Sequence, residues 1–409
     1  VRLILSTLLI LAACGAPPVP KAQSPSDDPK DYTVDSALTY VPTLSEPSWI
    51  IPSRALPPEA KAQPSNNNVD LVLFEGRLYL AWRTAPTHFA SKDAKLHLIS
   101  SADLGKTWRY ETSVVLGSDM REPAFVALNG TLRFQFFQAG TDMFAFEPKA
   151  QFRMTLGPDG KWGPLEEWGE AAEVSWSYKV RNGVAWRSSY KGAHYEFGKM
   201  PDISARFTRS TDGLTWEPVK GDGTVYRGGV SEIAFEFDED GSLWAVTRNE
   251  DGDATGFGSH VCTAPKDDLG TWTCSAKSSP ERYDSPKMFR HGKDLYLVAR
   301  RDVGGPFDQL RTDLTFGDMQ TFYNAAYWGR AKRTALYQLD KEKKAVVWLF
   351  DLPSCGDTSF PAIARLGAHT FLIANYTSPL DDLDISWVKG QTQDKGTKIY
   401  LTTLMLQPK

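Results

Sequence analysis

The sequence predicts an all-β chain folded as a six-bladed β-propeller. Two observations predict it: a hairpin grammar that recurs along the chain, and a tryptophan-ending turn that recurs between the hairpins. In each hairpin a short strand enters a glycine-bearing turn and leaves through a strand rich in aromatic and β-branched residues. Four copies are clear: VDLVLFEGRLYLAWR, EPAFVALNGTLRFQFF, EIAFEFDEDGSLWAVTR and DSPKMFRHGKDLYLVARR. VSWSYKVRNGVAWRSSY and DTSFPAIARLGAHTFLIANY fit more loosely. The turn glycines Gly76, Gly130, Gly183, Gly241, Gly292 and Gly367 recur roughly every fifty to seventy-five residues, and six units imply six blades.

The second motif is complete in Ser101-Ala102-Asp103-Leu104-Gly105-Lys106-Thr107-Trp108 and shortened in Ser210-Thr211-Asp212-Gly213-Leu214-Thr215-Trp216. Degenerate copies are Asp267–Trp272 and Gly157–Trp162. The chemistry is local: the aspartate accepts hydrogen bonds from turn amides, the glycine supplies a positive φ, and the tryptophan packs under the hairpin. These turns match the Asp-box pattern Ser-x-Asp-x-Gly-x-Thr-Trp. With the hairpins they make residues 60 to 409 resemble the sialidase superfamily, and the resemblance implies a sialidase-like propeller. The last unit lacks a strand, so Pro47–Ser53 is expected to complete its sheet and close the ring, which removes exposed strand edges.

The chain opens with VRLILSTLLILAAC, one arginine followed by an apolar run too short to span a bilayer. Leu11-Ala12-Ala13-Cys14-Gly15 resembles a bacterial lipobox, which implies a signal peptide over residues 1–14 and lipidation at Cys14. Residues 15–44, rich in Pro, Ser and Asp at their start, read as a tether, and residues 45–409 as the propeller. Gly15 and Ala16 lack the aspartate that resembles an inner-membrane retention signal, so an exported lipoprotein of the outer membrane or cell surface is expected, with the periplasm as the alternative. The membrane is then met through the lipid anchor alone. A net charge of -4 without a basic stripe argues against nucleic acid as a partner. Cys262 and Cys274 flank a predicted hairpin and are expected to pair, leaving Cys355 as a buried thiol; a Cys274–Cys355 link is the alternative.

Strands alternate in direction within a blade, so the Asp-box turns lie on the same face as the first hairpin turns, the back. A site belongs on the opposite face, where long loops converge on the axis. Reading that face gives Asp70, Arg121, Glu122, Glu232, Asp284 and Asp357 where first strands begin, and Arg83, Arg187, Arg248, Arg300 and Arg301 where second strands end. The following loops add His88, Tyr190, His194, Tyr195, Asn249, Glu250, Asp302 and Tyr376. Carboxylates crowded round a pore raise one another's pKa while arginines hold some ionised, the split that acid and base roles require.

The sialidase resemblance implies an arginine triad, a tyrosine nucleophile assisted by a glutamate, and an aspartate acid/base. This chain departs from it. Asn67-Asn68-Val69-Asp70-Leu71 stands where the first arginine would lie, and Asp357-Thr358-Ser359-Phe360 where the tyrosine would. Five-bladed glycosidases offer an architectural analogy, with three carboxylates where first strands begin; Asp70, Arg121-Glu122-Pro123 and Glu232 stand in those places. The expectation is a glycoside hydrolase that is not a strict sialidase, with Glu232 as acid, Asp70 as base or nucleophile, and Glu122 and Asp284 tuning them. The arginines, His88, Tyr190, Asp357 and Tyr376 are expected to bind substrate, the arginines engaging an acidic sugar, and Trp82, Phe89, Tyr190 and Tyr195 to stack on sugar faces. A non-catalytic glycan- or protein-binding propeller is the alternative. The expected partner is a carbohydrate and the expected state a monomer; no cofactor and no metal is expected, the acid-rich Asn249–Asp253 reading as a solvated loop.

Overall fold

A computed structural model describes residue 32, residues 34–306 and residues 311–409. Cys14, the signal segment and most of the stretch read as tether lie outside the described residues. The chain forms six antiparallel sheets. Blade one comprises Ser65–Phe74, Arg77–Ala85, Lys95–Ser101 and Arg109–Val114, and blade two Met120–Leu128, Thr131–Ala139, Pro148–Thr155 and Glu166–Trp168. Blade three comprises Glu173–Arg181, Val184–Gly192 and Ile203–Ser210, whose outer edge takes both Glu217–Pro218 and Thr224–Gly228. Blade four comprises Ile233–Phe237, Leu243–Thr247, Val261–Ala264 and Thr273–Cys274, and blade five Asp284–His291, Asp294–Asp302, Lys332–Asp340 and Ala345–Asp351. Blade six comprises Ala362–Gly367, Thr370–Thr377 and Lys398–Pro408. The innermost strand of each blade packs on that of the next, and blade six returns to blade one, giving a six-bladed propeller.

The hairpin turns follow from local chemistry. Glu75-Gly76, Asn129-Gly130 and Asn182-Gly183 each place two residues at positive φ between directly paired strand ends, the backbone of a type I′ turn. Gly241 and Gly292 also sit at positive φ; Gly367 does not, and a register shift precedes it instead. Between the third and fourth strands of blade one, Asp103 Oδ1 accepts from Thr107 N at 2.9 Å and Ser101 Oγ from Gly105 N at 2.8 Å. Gly105 has φ +92°, and a Cβ there would lie 2.7 Å from Leu401 Cδ1, so the turn seats against blade six only as glycine. Asp212 repeats the arrangement, accepting from Leu214 N and Thr215 N at 2.7 and 2.8 Å.

The core lies between blades as a series of apolar wedges, such as Leu71, Leu80, Ala364, Ala374 and Leu401 between blades six and one. Blade six is closed from the N-terminus by two segments. Ser48–Ile51 pairs with the start of Lys398–Pro408, as expected, and Tyr40–Leu44 pairs with its end. The propeller therefore begins before residue 45, inside the stretch read as tether, because five residues there complete a ladder that blade six otherwise leaves open. Upstream, the chain crosses the back face: Ser36 Oγ donates to Glu239 in the first turn of blade four, and Tyr32 lies 4.9 Å from the Arg365 guanidinium. Cys262 and Cys274 are directly paired across two strands and joined by a disulfide, while Cys355 is a buried free thiol.

Ile50 and Ile51 are almost fully buried, and each is worth roughly 1.5–3 kcal/mol. A chain starting at residue 32 should unfold in urea with the midpoint of the longer chain, and one starting at residue 53 should show a clearly lower midpoint or fail to fold. Equal midpoints would mean that the ring does not depend on the two N-terminal strands.

Candidate functional site

The axis is organised by a repeated irregularity. In each innermost strand an extra residue breaks the ladder near its front end. Register shifts mark it at Asn68, Glu122, Trp176 and Ser285. In blade four Ser231 N donates to Arg248 O while Arg248 N donates to Glu232 O, so two residues face one. In blade six Ser359, three residues before the strand Ala362–Gly367, takes φ +70°, like Asn68, Glu122 and Ser285 at +47°, +52° and +52°. A bulge re-aims its side chain, so these residues turn from the blade interfaces toward the front mouth. Trp176 instead crosses the axis to blade six, its ring 4.8 Å from Phe360, and donates Nε1–H to Pro286 O at 3.2 Å.

Asp70 lies deeper, two residues further along its strand than Asn68. It lines a cavity of about 40 Å³ with Lys179, Lys287, Tyr178 and Phe125, and accepts Phe125 N–H at 2.6 Å. Burial raises its pKa while Lys287 and Lys179 oppose that rise. The expected pairing of Asp70 with Glu232 across a substrate is therefore not the geometry found, because Asp70 faces the axial channel.

At the mouth two glutamates have opposed surroundings. Glu232 accepts from Arg248 Nη1 at 2.6 Å on one oxygen and from Ser285 N at 2.6 Å on the other, so both oxygens are engaged as acceptors. That suits it poorly to the part of acid. Glu122 accepts only the neutral Asn68 Nδ2–H, at 2.8 Å. Burial first, and the charge of Glu232 second, push Glu122 up to about 8, with Arg121 and Asn68 opposing. Tyr190 is buried beside them; burial, then Glu122 and Glu232, raise its hydroxyl well above the ordinary tyrosine value.

Behind Glu232 stands an ion network. Arg248 also reaches Glu250, Asp284 Oδ2 at 3.2 Å and the Tyr195 hydroxyl at 3.2 Å. Arg282 donates to Asp284 Oδ2 at 2.8 Å, lies 3.1 Å from Glu250 Oε1 and stacks 3.8 Å over Tyr327. Burial would raise Asp284, but Arg282, Arg248 and Arg300 together hold it far below the usual carboxylate range, which makes it a fixed anion. Arg300 donates to Thr358 O at 2.8 Å, Ser359 O at 3.2 Å and Ser285 Oγ at 3.2 Å. Its guanidinium stacks 4.7 Å over Trp387, the first residue of the short helix α2 (Trp387–Thr392).

On the opposite side, Arg83 and Arg121 share Asp119, at 2.7 and 2.6 Å. Arg121 Nη2 and Arg83 Nη2 also donate to His88 O and Phe89 O, fixing the loop after the second strand. His88 Nδ1 meets Asp357 Oδ2 at 2.8 Å, and Tyr376 donates its hydroxyl to Asp357 Oδ1 at 3.1 Å. Burial lowers the His88 pKa, with Asp357 opposing.

Several expected site residues lie elsewhere. Arg187 sits in mid-strand opposite Tyr178, bonded to Glu173 and lodged 5.2 Å from both Trp168 and Trp216. Arg301 points to the other side of its strand from Arg300, as alternation requires, and pairs with Asp351 at 2.5 Å on the outermost strand. Trp82 is fully buried between blades six and one. Asn249–Asp253 is buried rather than solvated: Asp251 binds His194 at 2.7 Å, and Asp253 binds Tyr226 at 2.8 Å and Thr255 N at 2.8 Å. Asp119, Arg282 and Trp387 escaped the sequence reading; Asp119 and Arg282 stand just two residues before Arg121 and Asp284, close enough to have been read with them.

Neither a protein-family profile nor a curated protein sequence matches the chain. Among solved structures it is similar to the phage phi92 endosialidase, with a TM-score of 0.55 and 10% identity over 91% of this chain and 70% of that one. The Trypanosoma rangeli sialidase gives 0.51 and 12% over 83% of this chain and 55% of that one, so the chain spans about half of that enzyme. A Dyadobacter fermentans protein of unknown function gives 0.52 and 16% over 84% of this chain and 95% of that one. The fold is that of the sialidase propellers. Identities this low speak to architecture, and within this sialidase-like architecture the mouth carries its own set of side chains.

The elevated Glu122 pKa carries a stability consequence. The folded chain keeps that proton up to about pH 8, whereas an unfolded glutamate loses it near about 4.3, so the contribution is complete below the lower value and is lost as pH rises toward 8. Glu122→Gln has no proton to lose. Its melting temperature should gain on the wild type progressively between about pH 5 and 8, by a few degrees, and level off above; a pH-independent difference would refute the assignment.

Proposed function

We propose that the propeller is a glycoside hydrolase whose mouth cleaves a glycosidic bond between Glu122 and Glu232, and that it is not a strict sialidase. The observation that supports this reading is the opposed environment of two neighbouring carboxyl groups. Glu122 keeps its proton at neutral pH and is placed to give it to the departing sugar oxygen; Glu232, with both oxygens held as acceptors, serves as the partner that acts on water or stabilises positive charge at the sugar. The stretches Asn67–Leu71 and Asp357–Phe360, where the sialidase resemblance implies an arginine and a tyrosine, hold neither. Arg248 and Arg300, Asp284, and His88 with Asp357 and Tyr376 are positioning groups in this scheme: they fix Glu232 and the mouth's walls.

The reading includes export as a lipoprotein, lipidated at Cys14 and monomeric at the outer membrane or cell surface, supported by the Leu11–Gly15 motif. Labelled palmitate should enter the expressed chain and be lost in Cys14→Ser; equal labelling of the two would sink this part.

Glu122→Gln and Glu232→Gln should each lower kcat on a responsive glycan at least about 100-fold with binding retained, and wild-type kcat/KM should fall as pH rises through about 8. Undiminished turnover in either variant ends the assignment. Glycan binding by the wild type without any released sugar would favour a non-catalytic binding propeller.

A further inference from the structure

Two features of the front face say what kind of glycan fits, and both rest on the mouth being a glycan site. The first is charge. Each guanidinium at the mouth is already answered by a buried carboxylate: Arg83 and Arg121 by Asp119, Arg248 by Glu232, Glu250 and Asp284, and Arg282 by Glu250 and Asp284. Arg300 donates to two carbonyls and a hydroxyl and lies 4.0 Å from Asp284. An incoming sugar carboxylate would have to break one of these pairs and leave a buried anion without its cation, a costly exchange. It would also approach Glu232, whose charge is already felt by Glu122. An uncharged sugar meets no such penalty, and its hydroxyls can bond Glu122 and Glu232.

The second feature is an apolar wall on one side of the mouth, assembled from three front-face segments. Phe146 packs on His194 and Tyr195 at 5.2 and 6.0 Å, joining the loop of blade two to that of blade three. Gly198 N donates to Gln320 Oε1 at 2.8 Å, joining blade three to helix α1 (Phe316–Trp328) of blade five. These segments present Phe144 at 90% exposure, Phe197 at 46% and Phe322 at 43%, the last with the Arg311 guanidinium 5.4 Å from its ring, and Met143 and Met200 are exposed on the first two segments. Tyr195, on the inner side of this wall, donates to Glu250 at 2.6 Å, so the aromatic surface is continuous with the ion network behind Glu232.

We propose that the ligand is an uncharged, extended glycan, its reacting sugar between Glu122 and Glu232 and its further sugars laid along the wall of Phe144, Phe197 and Phe322. Aromatic faces stack on the C–H edges of neutral pyranoses without needing a charge. Spacing the rings over three segments suits a chain of sugars better than a single one.

The test measures binding of the full chain to neutral oligosaccharides of hexose, deoxyhexose and N-acetylhexosamine of graded length. Matched oligomers carrying sialic or uronic acid, and vesicles of phosphatidylcholine, are measured in parallel. Neutral oligomers should bind and tighten with length; Phe144→Ala/Phe197→Ala, at two exposed positions outside the core, should weaken the longest about tenfold and leave the shortest unchanged. Acidic oligomers binding as tightly as neutral ones, a double variant indistinguishable from wild type, vesicle capture that depends on the two phenylalanines, or no glycan binding at all would each overturn the proposal. Neutral oligomers that bind along the wall but are never cleaved would instead remove the hydrolase reading and leave the ligand class standing.

Discussion

The front of this propeller is governed by the need to balance charge in a space with little water. Arg248 is the pivot: it touches Glu232 and Glu250 of its own blade and Asp284 of the next, and Arg282 closes the circuit from the other side. Removing any one member would strand a buried charge, so the group behaves as a single rigid element linking blades four and five. That rigidity lets Glu232 keep both oxygens committed while Glu122, across the mouth, is denied a comparable cation partner. The contrast between the glutamates is produced by the surroundings and not by residue type.

The axis is not an open pore. Trp176 fills it at the level of the bulges, touching blades five and six from blade three. Asp70, Lys179 and Lys287 line a cavity of about 40 Å³, with Lys179 also paired to Glu236 at 3.0 Å. The charges on the two levels still feel one another, since Lys287 opposes the rise of the Glu122 pKa. A closed ring of six blades can tolerate such a plug because each blade's core lies between blades and not on the axis.

The blades were legible in the sequence because their signals are local. A type I′ turn needs Asn-Gly or Glu-Gly at adjacent positions, and alternation exposes the strands on either side. The mouth was half legible: Glu122, Glu232, Asp284, Arg248, Arg300, His88, Asp357, Arg83 and Arg121 do gather there. Errors arose where one residue of phase decides. Arg301 and Trp82 turn the opposite way from their neighbours, and the bulges that aim Glu122 and Ser285 leave no mark as strong as a turn glycine. From the sequence, Glu232 reads as acid against Asp70 and Glu122 takes a tuning part, because what distinguishes Glu122 from Glu232, a hydrogen bond from Ser285 and a guanidinium from Arg248, leaves no mark in the sequence. Both depend on where blades four and five meet.

The N-terminal segment runs over the back before it enters blade six, held by Glu239 on a turn of that face and by Arg365 toward the back end of the strand Ala362–Gly367. Any attachment upstream of Tyr32 therefore pulls on the side opposite the mouth. Were Cys14 to carry the proposed lipid, the leash would meet the described residues on the face that the mouth does not use, so anchor and ligand would not compete for one side.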